Sequence, residues 1–225
     1  MPSSTAVFNG TVGILPTRQQ AAQFGGYFTA TNPTPGTGIT GGLVTGFSAT
    51  ADGLMTISNG GGRTIYLDAL SLMISGTVPT GTTVQKLAVF LENGTVAPSA
   101  GSSVVAAKAL NSTAGLPTSS ATVNVFVGGM ATIPAAVGTR TLIANASLPT
   151  SLGVTGDTYV YNFGGDPAQQ SGALTAVRAT APARIVTSCN PVVVPPNYTA
   201  ILDWWWITQA ANAPVMEYEL GWFEL

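Results

Sequence analysis

Tyr198-Thr-Ala-Ile-Leu-Asp-Trp-Trp-Trp-Ile207 is the stretch on which the reading of the fold turns. Side chains of a β-strand alternate between its two faces. That alternation puts Tyr198, Ala200, Leu202, Trp204 and Trp206 on one side and Thr199, Ile201, Asp203, Trp205 and Ile207 on the other. The first set is large and apolar, as a core face must be, and the second is mixed. The following segment repeats the pattern, with Met216, Tyr218, Leu220 and Trp222 opposed to Glu217 and Glu219. Together the two segments predict a hairpin with a large aromatic inner face.

The same period runs back along the chain. Over 84–92, Leu87, Val89 and Leu91 oppose Lys86, Ala88, Phe90 and Glu92; over 122–127, Val123, Val125 and Val127 oppose Thr122 and Asn124. Over 141–148, Leu142, Ala144, Ala146 and Leu148 oppose Thr141, Asn145 and Ser147. Residues 63–75 begin with Ile65 and Leu67 on one face and end with Leu70, Leu72 and Ile74 on the other. This change of phase predicts a bulge or bend near Asp68, as where a strand passes from one sheet to another. Turn signals separate the strands, among them Asn59-Gly-Gly-Gly62, Pro79-Thr-Gly81 and Asn93-Gly94, because Gly and Asn accept positive φ and Pro fixes the first turn position. Residues 102–110 are the one short helix the pattern allows. Some ten strands without a helix long enough for βαβ crossovers predict an all-β chain, a jelly-roll-like antiparallel β-sandwich. The Gly/Pro-rich stretch 32–42 divides it into an extended N-terminal arm, residues 1–40, and a sandwich domain, 41–225.

The 225 residues carry 7 Lys and Arg and 9 Asp and Glu, a net charge of -2, so 7% of the chain is charged, against about 25% in ordinary soluble domains. Hydrophobic residues make up 45%, enough to build a core and to argue against disorder. The basic residues are scattered singly, which disfavours binding nucleic acid through its phosphates. No apolar run reaches the roughly 18 residues a spanning helix needs, and neither export nor the polar lumen of an outer-membrane barrel is indicated. Membrane association is not expected. The start, Met-Pro-Ser-Ser-Thr-Ala-Val-Phe-Asn-Gly10, lacks a basic region followed by an apolar one. With one cysteine available, no intramolecular disulfide can form, and synthesis in a cytoplasm is expected.

Histidine is absent and Cys189 is the single cysteine, which removes Ser-His-Asp, Cys-His and His-ligated zinc chemistry together. No spaced Asp loop for calcium occurs, and Asn59–Arg63 lacks the Lys-Ser/Thr pair of a phosphate loop. Neither a metal nor a cofactor is expected. Carboxylate pairs are the remaining route to acid/base catalysis. Glu217 and Glu219 share a strand face and read as its solvated side; Asp157 and Asp166 flank Tyr159, Tyr161 and Phe163 and read as turn residues. Cys189 reads as a small buried residue, since no histidine can activate it.

Trp205 falls on the mixed face with Ile201 and Ile207, and these three are the candidate subunit interface, because Trp is enriched at interface cores. Residues 19–51 and 109–139 contain no charge, a surface that suits a chain covered by copies of itself or by a larger shell better than a free monomer.

The run Arg184-Ile-Val-Thr-Ser-Cys-Asn-Pro-Val-Val-Val-Pro-Pro-Asn-Tyr-Thr-Ala-Ile-Leu-Asp-Trp-Trp-Trp206, followed by Glu217-Tyr-Glu-Leu-Gly-Trp-Phe-Glu224, resembles the endings of small β-sandwich virion proteins of tailed bacteriophages, the head decoration or cement class. The shared features are a Pro-Pro turn, an aromatic strand and a closing strand. The resemblance implies a jelly roll seated on or between subunits of a major capsid protein, commonly as a trimer, locking the shell without catalysis. It implies a virion protein made in the host cytoplasm without a signal peptide. The sequence does not resemble the principal shell protein of tailed phages, which needs a long helix. Two alternatives stand beside it: a carbohydrate- or receptor-binding β-domain of a phage fibre or tail, with Tyr159, Tyr161 and Trp205 stacking on sugar, and a glycoside hydrolase using two of Asp157, Asp166, Glu217 and Glu219. The interface assignment predicts that Trp205→Ala lowers the oligomer mass measured by light scattering and leaves the circular dichroism of the fold unchanged.

Overall fold

In a computed structural model of the protein, the structure describes residues 5–8, 11–14, 22, 25–32, 34–40, 53–78, 84–95, 102–105, 108–109, 118–126, 138–149, 154–164, 184–207 and 215–225. Its described strands are β1 (Thr5–Phe8), β2 (Thr11–Ile14), β3 (Tyr27–Thr31), β4 (Ile39–Thr40), β5 (Gly53–Asn59), β6 (Ile65–Ile74), β7 (Val84–Asn93), β8 (Ser102–Val105), β9 (Lys108–Ala109), β10 (Ala121–Phe126), β11 (Arg140–Pro149), β12 (Thr158–Phe163), β13 (Arg184–Cys189), β14 (Val193–Val194), β15 (Tyr198–Ile207) and β16 (Val215–Glu224). One sheet has the order β11-β7-β15-β5-β10-β8; the other runs β13-β12-β6-β16-β3-β9, with β14 beside β6 and β4 beside β16. β1 and β2 pair only with each other. All the pairs are antiparallel except β12 with β13, which are parallel.

The two sheets pack face to face, and the strand alternation supplies both inner faces. Met55, Ile57, Leu87, Val89, Val123, Val125, Ala200, Leu202 and Trp204 come from the six-stranded sheet; Phe28, Ile65, Leu70, Leu72, Ile74, Tyr159, Tyr161, Leu220 and Trp222 come from the eight-stranded one. This is a β-sandwich. β15 and β16 occupy the middle of the two sheets, each contributing its aromatic face to the same core from opposite sides. They are therefore not a hairpin: an apolar face is buried equally well across a core as beside a neighbour, and alternation alone does not distinguish the two.

The phase change in β6 is a bulge at Asp68. Gly221 pairs with Ala69 and Trp222 with Leu67, leaving Asp68 as the extra residue. The strand stays in one sheet, but its other neighbour changes from β14 to β12 across the bulge. Asp68 Oδ2 accepts a hydrogen bond of 2.7 Å from the Tyr27 hydroxyl. Gly221, opposite the bulge, makes room for that ring, since a Cβ there would lie 2.2 Å from the Tyr27 hydroxyl oxygen.

Three other expectations are corrected. The stretch expected to be a short helix, 102–110, holds two strands: β8 takes the free edge of β10, with Val123 opposite Val105, and β9 pairs with β3. The boundary at residue 40 cuts through the sandwich, because β3 pairs along β16 and buries Phe28 and Ala30 in the core. In β11 the ladder shifts between Leu142 and Ala144; the extra residue, Ile143, packs toward the core and Leu142 is turned out, 50% exposed.

Polar side chains tie the sheets across the apolar gap. The Trp204 indole donates to the Tyr161 hydroxyl at 3.1 Å, and that hydroxyl donates to Gln85 Oε1. Trp204 and Gln85 belong to the six-stranded sheet and Tyr161 to the other. Asn59, ending β5, donates to the carbonyls of Arg63 and, at 2.9 Å, of Val194 in the facing sheet. The fully buried Glu224 side chain accepts from Ser119, the Ser120 amide and the Trp222 indole and meets Arg63 at 2.9 Å. Tyr161→Phe removes the hydroxyl that the buried Trp204 indole and Gln85 share, and is expected to cost about 1–3 kcal/mol. The check is a lower urea midpoint with an unchanged slope.

Candidate functional site

The outer face of the eight-stranded sheet is built from the alternate residues that the core does not use. Its registers align one row across four strands: Val193 opposite Tyr66, Tyr66 opposite Phe223 and Phe223 opposite Tyr27. At the usual spacing between strands this row is about 14 Å long. Tyr66 is 38% exposed and Val193 37%. Tyr27 and Phe223 pack edge to face with centroids 4.8 Å apart, a favourable aromatic geometry, and the bond to Asp68 pins the Tyr27 ring.

Beside this row the sheet surface sinks. The next outward positions are small, Ala69 and Gly221 directly paired and then Ser71 opposite Glu219. A depression of about 160 Å³ here is bordered by Tyr27, Asn162, Arg184 and Glu219. It continues into a second of about 320 Å³, which shares Ser71 and Glu219 and is lined further along by Asn32, Met73, Glu217 and Tyr218. Two buried polar atoms of these lining residues, Asn32 Oδ1 and the Tyr218 hydroxyl, have no hydrogen-bond partner among the described residues. The Asn32 amide nitrogen is already used, donating to the Thr37 carbonyl at 2.7 Å. Burial pushes the Tyr218 hydroxyl up to about 12, so at neutral pH it is a protonated donor.

Two further buried carboxylates, Glu92 and Asp157, serve the architecture. Glu92, fully buried, meets Arg140 at 2.6 Å and accepts from the Gly138 amide. Asp157 accepts from the Val154 amide at 2.9 Å, closing a turn through Gly156 as the sequence suggests. A buried charge held in this way stabilises its surroundings by staying paired. Glu217 and Glu219 do share the outer face, with Glu219 exposed. Asp166 lies outside the described residues. Among the described residues no group of three or more His, Cys, Asp and Glu could hold a metal ion, and no helix is long and apolar enough to cross a membrane.

The residues proposed for sugar stacking are corrected. Tyr159 and Tyr161 are fully buried between the sheets and present no ring face to a ligand; desolvation holds the Tyr161 hydroxyl well above its ordinary range. Ile201 is also fully buried within the single chain, because the outward face of the six-stranded sheet is covered at its centre, where Thr56, Asp203 and Phe90 are buried too. It is not available to a second subunit. Trp205 and Ile207 pair with Lys86 and Val84 in the ladder, and their side chains lie outside the described residues. The aromatic row went unseen in the sequence because its members sit on four strands far apart in the chain. The signal that could have found it is an aromatic on a strand's polar face, Phe223 in line with Glu217 and Glu219.

No family model matches this chain, and no curated protein or solved structure is significantly similar to it.

Cys189 is buried beside Tyr161, and desolvation raises its thiol to about 12. Only the thiolate is nucleophilic. At pH 8 the folded protein is expected to react with a thiol-specific disulfide reagent at least tenfold more slowly than the urea-unfolded chain, read by absorbance; equal rates would contradict this.

Proposed function

We propose that this chain is a non-enzymatic structural protein of a virion, a capsid decoration or cement protein or minor capsid component that stabilises the shell through contacts with copies of itself and with a major capsid protein. The observation that carries this reading is how little charge remains to keep the folded chain apart from its neighbours. Of nine acidic residues four, Glu92, Asp157, Asp203 and Glu224, are buried, and two of the seven basic residues, Arg63 and Arg140, are committed to ion pairs with them. A small domain that lives alone normally keeps a densely charged surface. A surface this neutral favours association.

Two further points support it. The likeness of residues 184–224 to the endings of tailed-phage decoration proteins implies an assembly role, and the jelly-roll connectivity belongs to the same proposal. Of the buried carboxylates, Glu92, Asp157 and Glu224 are anchored to arginines or backbone amides, an arrangement that holds a fold together.

Light scattering across a hundredfold dilution is expected to return a concentration-independent mass of a closed oligomer, a trimer being favoured. The oligomer is further expected to co-sediment with expanded phage heads. A monomer at every concentration, with no binding to heads, would overturn the proposal.

A further inference from the structure

The trough on the outer face of the eight-stranded sheet has three properties that bear on what it can hold. It is long: from Phe223 to Glu217 along β16 is about 20 Å at the rise of a strand. It is bordered at one end by Tyr27 and the adjoining aromatic row, where Tyr66 is exposed and Phe223 half-buried, and carries unengaged polar side chains along its length. The side chains of Asn162, Arg184 and Glu219 make no hydrogen bond or ion pair among the described residues, and Asn32 Oδ1, nine-tenths buried, is unsatisfied at the far end. Leaving a buried acceptor unmatched is costly, and a ligand that supplied donors to Asn32 and Glu219 and acceptors to Arg184 would engage these groups.

The charge is mixed and slightly acidic, Arg184 against Glu217 and Glu219, which disfavours nucleic acid and other polyanions. An extended peptide is poorly matched as well. Its backbone amides pair with the free edge of a sheet, whereas this trough runs over side chains in the middle of one. A neutral polyol chain fits both demands, because each hydroxyl donates and accepts and its C–H faces pack on aromatic rings. Bound sites of this kind are concave, with a few placed polar groups beside apolar surface.

We propose that this trough binds a neutral polysaccharide chain, with Tyr66 and Phe223 packing against sugar C–H faces and Asn162, Arg184 and Glu219 bonding its hydroxyls. The site is distinct from the buried Tyr159 and Tyr161, and it does not depend on the shell reading, since a capsid-bound oligomer and a free domain present the same face.

The test is affinity electrophoresis of the full chain through gels containing soluble starch, dextran or galactomannan, with heparin as an anionic comparison. Retardation by at least one neutral polymer is expected, weakened at least tenfold in Tyr66→Ala and in Arg184→Ala and retained in Tyr66→Phe and in the distant Leu142→Ala. All three positions are exposed, so circular dichroism and melting temperature should be unchanged. Failure of all three neutral polymers to retard the protein would overturn the proposal, as would retention by heparin alone or retardation that Tyr66→Ala leaves intact. Light scattering on the same variants separates the two readings. If Tyr66→Ala lowers the oligomer mass and leaves glycan retention unaltered, the aromatic row is a contact between copies and the glycan site is wrong, while the assembly proposal stands.

Discussion

The sandwich depends on how a gap of roughly 10 Å between two sheets is filled at one place in particular, where Trp204 and Gln85 reach from one sheet and Tyr161 from the other to share a hydroxyl. Hydrocarbon packing alone drives the sheets together but is indifferent to small slides between them. A buried hydrogen bond is not, since breaking it strands polar atoms without water. A second set of ties, through Asn59 and through Glu224 with Arg63, fixes the alignment where β5 hands the chain to β6. The outward rows on each sheet, including the aromatic row and its trough, inherit their positions from that alignment.

What could be read from the residues was whatever a single strand decides for itself. Alternation correctly placed Leu87, Val89, Val123, Val125, Leu202 and Trp204 in the core, and the phase change in residues 65–74 located the bulge at Asp68. Which strands lie side by side is decided by pairings between distant segments, and here the reading failed: β15 and β16 are consecutive and both aromatic, yet they sit in opposite sheets. The bulge in β11 was hidden because Leu142 and Ile143 are both apolar, so hydropathy does not mark which of them turns inward. The same physics explains the candidate site. Tyr27, Tyr66, Val193 and Phe223 become neighbours only through three separate ladders, so no local pattern announces them, whereas Tyr159 and Tyr161, close together and conspicuous, went inward.

The two proposals place different demands on the surface and can coexist. Association is favoured over the whole exterior by the scarcity of charge, while the trough is a local feature with its own polar groups. A chain that gathers in several copies would multiply a weak individual site, because linked sites raise the effective concentration of the second binding event.

The placement of β15 and β16 has a consequence for how the molecule comes into being. Each lies at the centre of its sheet although it follows all its sheet partners in the chain. Until residues 198–224 have emerged from the ribosome, β6 has no β16 to pair with and β5 no β15, so both sheets are split down the middle. Closure of the sandwich thus waits on contacts of very long sequence separation, which are slow to form. During that interval the neutral strands expose unpaired edges, the condition in which aggregation competes with folding.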